Sequence, residues 1–90
     1  MNFEWDPQKA EKNMQKHKVS FQEAATIFGD QLAVTFLDPD HSVDEHRYIT
    51  FGLSEYNHLL IVSHTDRGNK IRIISARRMT HKEKRIYEEG

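Results

Sequence analysis

The apolar residues of this 90-residue chain change their period twice, and that change decides which fold is open to it. They first recur at helical spacing, then run or alternate as in strands, then return to a helical pattern at the end. Asp6-Pro7 reads as a helix N-cap followed by proline at the first helical position. Ala10, Met14 and His17 then fall on one helical face. Ser20-Phe21-Gln22-Glu23 fits a capping box, and Phe21, Ala24, Ala25 and Phe28 follow the i, i+3, i+4, i+7 pattern up to Gly29, which is expected to end the run at positive φ. Two short helices joined by His17-Lys18-Val19 are therefore predicted.

The middle of the chain reads as strand. Residues 32–37 form a short apolar run, and Asp38-Pro39-Asp40-His41-Ser42 is a turn cluster. In the next strand Glu45, Arg47, Ile49, Phe51 and Leu53 share one face, with His46, Tyr48 and Thr50 on the other. Residues 59–65 and 71–77 are two more strands, separated by the hairpin composition Asp66-Arg67-Gly68-Asn69. Thr80-His81-Lys82-Glu83 is another capping box and opens a last helix through Tyr87. The expected architecture is α+β: two N-terminal helices, an antiparallel sheet of about four strands and a C-terminal helix, in one domain over residues 1–90. A very short strand at residues 2–5 is a possible addition.

Composition narrows the chemistry. Without cysteine there is no disulfide framework, no thiolate zinc site and no cysteine nucleophile. The five Phe, three Tyr and one Trp argue for a folded core, although a chain of this size buries only about 60% of its unfolded surface. No apolar run approaches the roughly 20 residues of a membrane span, and the first residues carry no basic and apolar leader, so a cytoplasmic protein is expected. The net charge of −1 is unevenly spread. Residues 1–66 hold five Lys and Arg against eleven Asp and Glu, whereas residues 67–90 hold eight against three. An anionic partner for one surface and a solvated helix of mixed charge both fit that asymmetry.

The arginines carry the sharpest signal. Strand alternation puts Arg77 on a face with Ile71, Ile73 and Ser75, and Arg47 on a face with Ile49 and Phe51. An arginine on an apolar face is costly unless it is paired or lies at a rim. Ordinary ion pairs, with Glu45 a candidate for Arg47, are one reading. A cationic pocket that grips phosphate through bidentate forks is the other. Lys16 and His17 end the first helix, where cations complement its dipole, and His17 is also suited to moving protons near neutral pH. The spacing of the six histidines suits no metal site, and there is no glycine-rich phosphate loop and no nucleophile elbow, so no cofactor is expected.

Several stretches together resemble the BrnT toxin family. They are Phe3-Glu4-Trp5-Asp6-Pro7, Lys9-Ala10, Asn13, Lys16-His17, Val19, Phe21, Glu23-Ala24 and Phe28 at the start, and His41-Ser42, Glu45, Arg47 and Gly52 in the middle. Ile71-Arg72-Ile73-Ile74-Ser75-Ala76-Arg77, Glu83, Tyr87 and Glu88 complete them at the end. The resemblance implies a fold like that of RelE-type ribonuclease toxins, and RNA cleavage that slows translation. It also implies a ribbon-helix-helix antitoxin that neutralises the toxin, with operator DNA bound only through the complex. It assigns active-site roles to Lys16, His17, Arg47, Arg72 and Arg77. Two positions depart from the family pattern: Lys18 stands where a glycine is usual, and Asn57-His58 stands where Gly-Arg is expected.

A nuclease without metal needs a base for the 2′-OH, cations for charge developing at phosphorus and an acid for the leaving 5′-oxygen. Arginine does not give up its proton, so Arg47 and Arg77 are charge stabilisers. Lys16 suits charge stabilisation or, if its pKa falls on burial, the base, and His17 suits acid–base work. A catalytically weak module that binds the antitoxin and autoregulates its operon is the alternative, and an interaction domain without nucleic acid is a third.

Overall fold

Asp6 caps the first helix by accepting a 2.8 Å hydrogen bond from the Gln8 amide, and Pro7 fills the first turn without losing a needed donor. In this computed structural model, which describes residues 1–41 and 46–90, a short strand β1 (Asn2–Glu4) leads into that helix, α1 (Pro7–His17). Lys18 ends α1 in the left-handed conformation, φ 61°, with its amide on the Met14 carbonyl at 3.0 Å. The glycine-like turn is thus kept with lysine in place. Ser20 caps α2 (Phe21–Thr26) by accepting from the Glu23 amide, and a 3-10 turn, Ile27–Gly29, follows. Gly29 is not at positive φ, contrary to expectation; the 3-10 turn ends on Asp30, whose amide bonds the Ile27 carbonyl.

The inner face of α1 also differs from the predicted one. Met14 is exposed, and Asn13 is buried in its place beside Ala10 and His17. The reason is polar. Asn13 Nδ2 donates to the carbonyls of Val19 (2.9 Å) and Ala76 (2.8 Å), and its Oδ1 accepts from the Ala76 amide (3.0 Å). A side chain here closes a sheet edge that no strand covers.

The sheet has five strands, in the order β1-β5-β4-β3-β2. They are β2 (Val34–Leu37), β3 (Arg47–Leu53), β4 (Leu59–Arg67) and β5 (Lys70–Arg78), with α3 (His81–Glu89) last. All neighbours are antiparallel except β1, which runs parallel to β5. The helices that follow β1 carry the chain to β2 at the far edge of the sheet, antiparallel to β1, and the β2–β5 meander then brings β5 back beside β1 in parallel. The α+β class holds: the fifth strand is the short one allowed for at residues 2–5, and because it pairs in parallel the sheet is mixed rather than antiparallel. The proposed pairing of Glu45 with Arg47 lies outside the described residues, as does Ser42 of the turn cluster.

One irregularity governs the rest. The β4–β5 register slips between Ser63 and His64: Ser63 pairs with Ser75, but His64 pairs with Ile73, leaving Ile74 as an extra residue in β5. The helix side of the sheet holds the main core of Val19, Phe21, Ala24, Ile27, Leu60, Val62, Ile73 and Ala76. On the opposite side Phe51, Ile61 and Met79 form a smaller cluster, joined by Leu59 and Tyr87. There α3 covers one end of the sheet and buries none of its own residues fully.

Candidate functional site

The slip at Ile74 decides which way the arginines point. Strict alternation would put Ile73 with Ser75 and Arg77, and Arg72 on the other side. With one extra residue, Ile73 turns into the helix-side core beside Ala76, and Arg72 turns out with Ser75 and Arg77. The expected grouping of Arg77 with Ile73 is therefore wrong, and Arg72 takes the place of that isoleucine. Across the sheet Arg47 is level with Thr65, and Thr65 with Arg72. All three arginines thus stand on the face that α3 leaves partly open, with half-buried Ile49, Ser63 and Ser75 between them.

They line this face rather than converge on one point. Two strand spacings, with β4 between, separate Arg47 from Arg72, roughly 10 Å at the Cα. Arg77 is level with Ile61 and Phe51, four residues further along β3, which puts it about 16 Å from Arg47. Arg72 donates to Glu4 Oε2 at 2.7 Å. Arg77 grips Glu83, the N3 residue of α3, with two parallel bonds of 2.7 and 2.8 Å. The fork from Glu83 holds the guanidinium firmly protonated and, as the largest influence on Glu83, pulls that carboxyl down to about 2. Of the five N–H donors of Arg77, two have no acceptor among the described residues.

Lys16 and His17 lie beside this face. With Lys9, Lys12 and Asn13 they border a shallow groove along the β5 edge, floored by Ile74 and Ser75. Ser75 belongs to both regions, so the groove opens directly onto the arginine face. Of the five residues singled out in the sequence, three lie on the arginine face and two on the adjoining groove, and Arg72 and Arg77 are already engaged by carboxylates.

Nothing in the sequence marked Glu83 as a clamp on Arg77, or Ser63 and Ser75 as residues between the arginines. Glu83 was legible only as a capping residue. It does that too, accepting from the Thr80 amide at 2.8 Å. Glu23, by contrast, does not complete a capping box. Its buried carboxylate accepts from Ser54 Oγ and meets His58 Nδ1, both at 2.7 Å. His58 Nε2 in turn lies 3.0 Å from Arg78. The imidazole that replaces the expected arginine is therefore built into the β3–β4 loop, at the end of the sheet away from Arg47 and Arg72. Asn57 adopts φ 65° before it, a conformation that asparagine tolerates better than most residues.

Comparison with known proteins bears on the family and the fold. The profile of a family described as "Ribonuclease toxin, BrnT, of type II toxin-antitoxin system" matches residues 5–83. No curated relative matches the chain. Among solved structures, the crystal structure of the ribonuclease toxin BrnT from Brucella abortus superposes with a TM-score of 0.66 at 20% sequence identity, covering 90% of this chain and 99% of that one. At that identity the likeness is one of fold.

Proposed function

The chain belongs to the BrnT family of ribonuclease toxins of type II toxin–antitoxin systems, and from that premise we propose that it is a metal-independent endoribonuclease whose substrate lies on the open sheet face. The observation that carries this reading is the row of Arg47, Arg72 and Arg77 on one face, meeting the Lys16–His17 groove at Ser75. RNA brings its own nucleophile. The 2′-OH attacks phosphorus, the bond to the 5′-oxygen breaks, and a 2′,3′-cyclic phosphate and a 5′-OH result. Arg47, Arg72 and Arg77 offset the charge that builds on the phosphoryl oxygens. Lys16 adds charge at the groove, and His17 moves a proton. Single-stranded mRNA is the substrate, because a duplex hides its bases. A ribbon-helix-helix antitoxin silences the protein by covering this face, the complex carries operator DNA, and the setting is the cytoplasm.

Cleavage of RNA by the purified protein in EDTA, wild type beside Arg77→Ala, tests the proposal. Loss of one such charge stabiliser lowers the rate about a hundredfold or more. Equal cleavage by both proteins with unchanged melting removes Arg77 from the reaction.

A second reading has its own support. Arg72 and Arg77 already hold carboxylates, which suits a scaffold that binds antitoxin and does little chemistry. Growth arrest that survives changes at all three arginines favours this scaffold. Arrest that is lost while antitoxin binding persists favours the ribonuclease.

A further inference from the structure

The arginine row ends in ion pairs, whereas the lysines beside it do not. Lys9, Lys12 and Lys16 fall at i, i+3 and i+7 of α1, on the side that borders the Ile74–Ser75 groove. Like charges at such spacings repel across a helix face. No carboxylate lines the groove, and no ion pair engages any of the three among the described residues. The three hydrogen bonds of Asn13 fix this side of α1 against the β5 edge, so the cations are held in place at the groove rather than scattered. A helix rise of 1.5 Å per residue spreads Lys9 to Lys16 over about 10 Å, a span that takes more than one phosphate.

We infer that Lys9 and Lys12, together with Lys16, form a track for the backbone of single-stranded RNA, leading it across Ser75 onto the arginine face. The inference rests on the ribonuclease reading and adds two residues whose work is holding substrate. Lysines act here as point charges on phosphate and need no base contacts, so the track is indifferent to sequence. Ile74 is the only apolar residue that lines the groove, a small target for the side chains of a protein segment.

The test uses the full chain and a short fluorescent single-stranded RNA with every 2′-OH methylated, so that it binds but is not cut. Affinity is measured from about 50 to 200 mM salt for wild type, for Lys9→Gln/Lys12→Gln, and for Lys82→Gln/Arg85→Gln, which removes the same charge from α3. Lys9 and Lys12 are exposed, and unchanged melting confirms that the variant folds. The expected result is a salt dependence shallower by about 1.4 for the α1 pair, about 0.7 for each phosphate left without its lysine, and little change for the α3 pair. Equal slopes for the α1 pair and wild type overturn the track, as does an equal loss from the α3 pair. If RNA binding is unchanged but binding to poly-glutamate is lost, the groove serves an acidic protein segment and the track is again overturned. A wild-type protein that binds no RNA brings down the ribonuclease reading itself, an outcome distinct from the others.

Discussion

Glu83 does two jobs with one carboxylate: it caps α3 by accepting from the Thr80 amide, and it occupies Arg77. Glu83→Gln keeps the cap but removes the charge that binds the guanidinium. Because the carboxyl of Glu83 sits at about 2 when folded and near 4.5 when unfolded, its stabilisation is complete above about 4.5 and is lost as pH falls towards 2. The variant is expected to be less stable than wild type at pH 7 by about 1 kcal/mol or less, since the pair is partly exposed. That gap should close by about pH 2, which urea titrations across this range read directly. The same change should tighten RNA binding if Arg77 faces substrate. His64 presents the opposite case of a buried base. It lies between Phe28 and Tyr48, and its Nε2 is 2.7 Å from Thr50 Oγ1, which is 2.8 Å from Thr35 Oγ1. Its Nδ1 is buried without a hydrogen-bond partner among the described residues, so the cheaper tautomer puts the proton on Nε2, where Thr50 accepts it. Burial lowers the pKa of His64, and Asp66 offsets this only in part. The unfolded chain then takes up the proton first, so stability is full above about 6.5 and falls below it. His64→Gln should flatten that decline, seen as urea midpoints at pH 7.5 and 5.5 that differ less than in wild type.

At the scale of elements, side chains do work that strands and turns usually do. On the edge away from β4, the upper half of β5 has no neighbouring strand among the described residues, because β1 reaches only from Lys70 to Arg72. Asn13 replaces that missing neighbour by bonding both backbone groups of Ala76. Asn13→Ala leaves three buried backbone groups without partners, at about 1–3 kcal/mol for each that water cannot reach. A loss of about 2–4 kcal/mol by chemical denaturation is expected, and a loss under about 0.5 kcal/mol would show that the edge is held some other way. These bonds also explain what could be read in the sequence. All three helices were legible because their starts are local: Asp6-Pro7, Ser20 and Thr80 each cap within three residues. The slip in β5 was not legible, because Ile73-Ile74-Ser75 contains no glycine or proline to mark it. It fits instead with a bond across 63 residues of chain, where Asn13 meets Ala76. The facing of Arg72 was hidden for the same reason. Period-2 reading carries an error past an unseen bulge to every residue beyond it. Alternation placed Arg47 correctly with Ile49 and Phe51, but its grouping of Arg77 with Ile71 and Ile73 failed at the bulge; Arg77 shares a face with Ile61 and Phe51 on the neighbouring strands instead.

For the molecule as a whole, the two faces of the sheet are unequal. The helix face is filled, whereas α3 rests on the other face with no fully buried residue. Beyond the packing of Tyr87 on the cluster of Phe51, Ile61 and Met79, α3 is fastened by polar bonds. Tyr87 donates to Asp30 Oδ2 at 2.6 Å, the same oxygen that accepts from the Leu53 amide at 2.8 Å, and Glu83 holds Arg77. Burial first, and then the bond to Asp30, push the phenol of Tyr87 up to about 12, so it remains a donor throughout the usual pH range. The lysine groove runs beside the rest of this face, and if RNA binds there as proposed, a protein antitoxin that lies over the same surface competes for the same charges. On that argument, adding antitoxin should raise the apparent KM for RNA and leave the rate at saturating RNA unchanged until the complex is too tight to displace. Cleavage assays across a range of RNA and antitoxin concentrations measure this. A complex that cuts RNA as fast as the free protein would place the antitoxin elsewhere. A fall in maximal rate with no change in KM would instead mean that the antitoxin acts through a shift in the protein, and α3, tied down by two polar latches, is the element most easily moved.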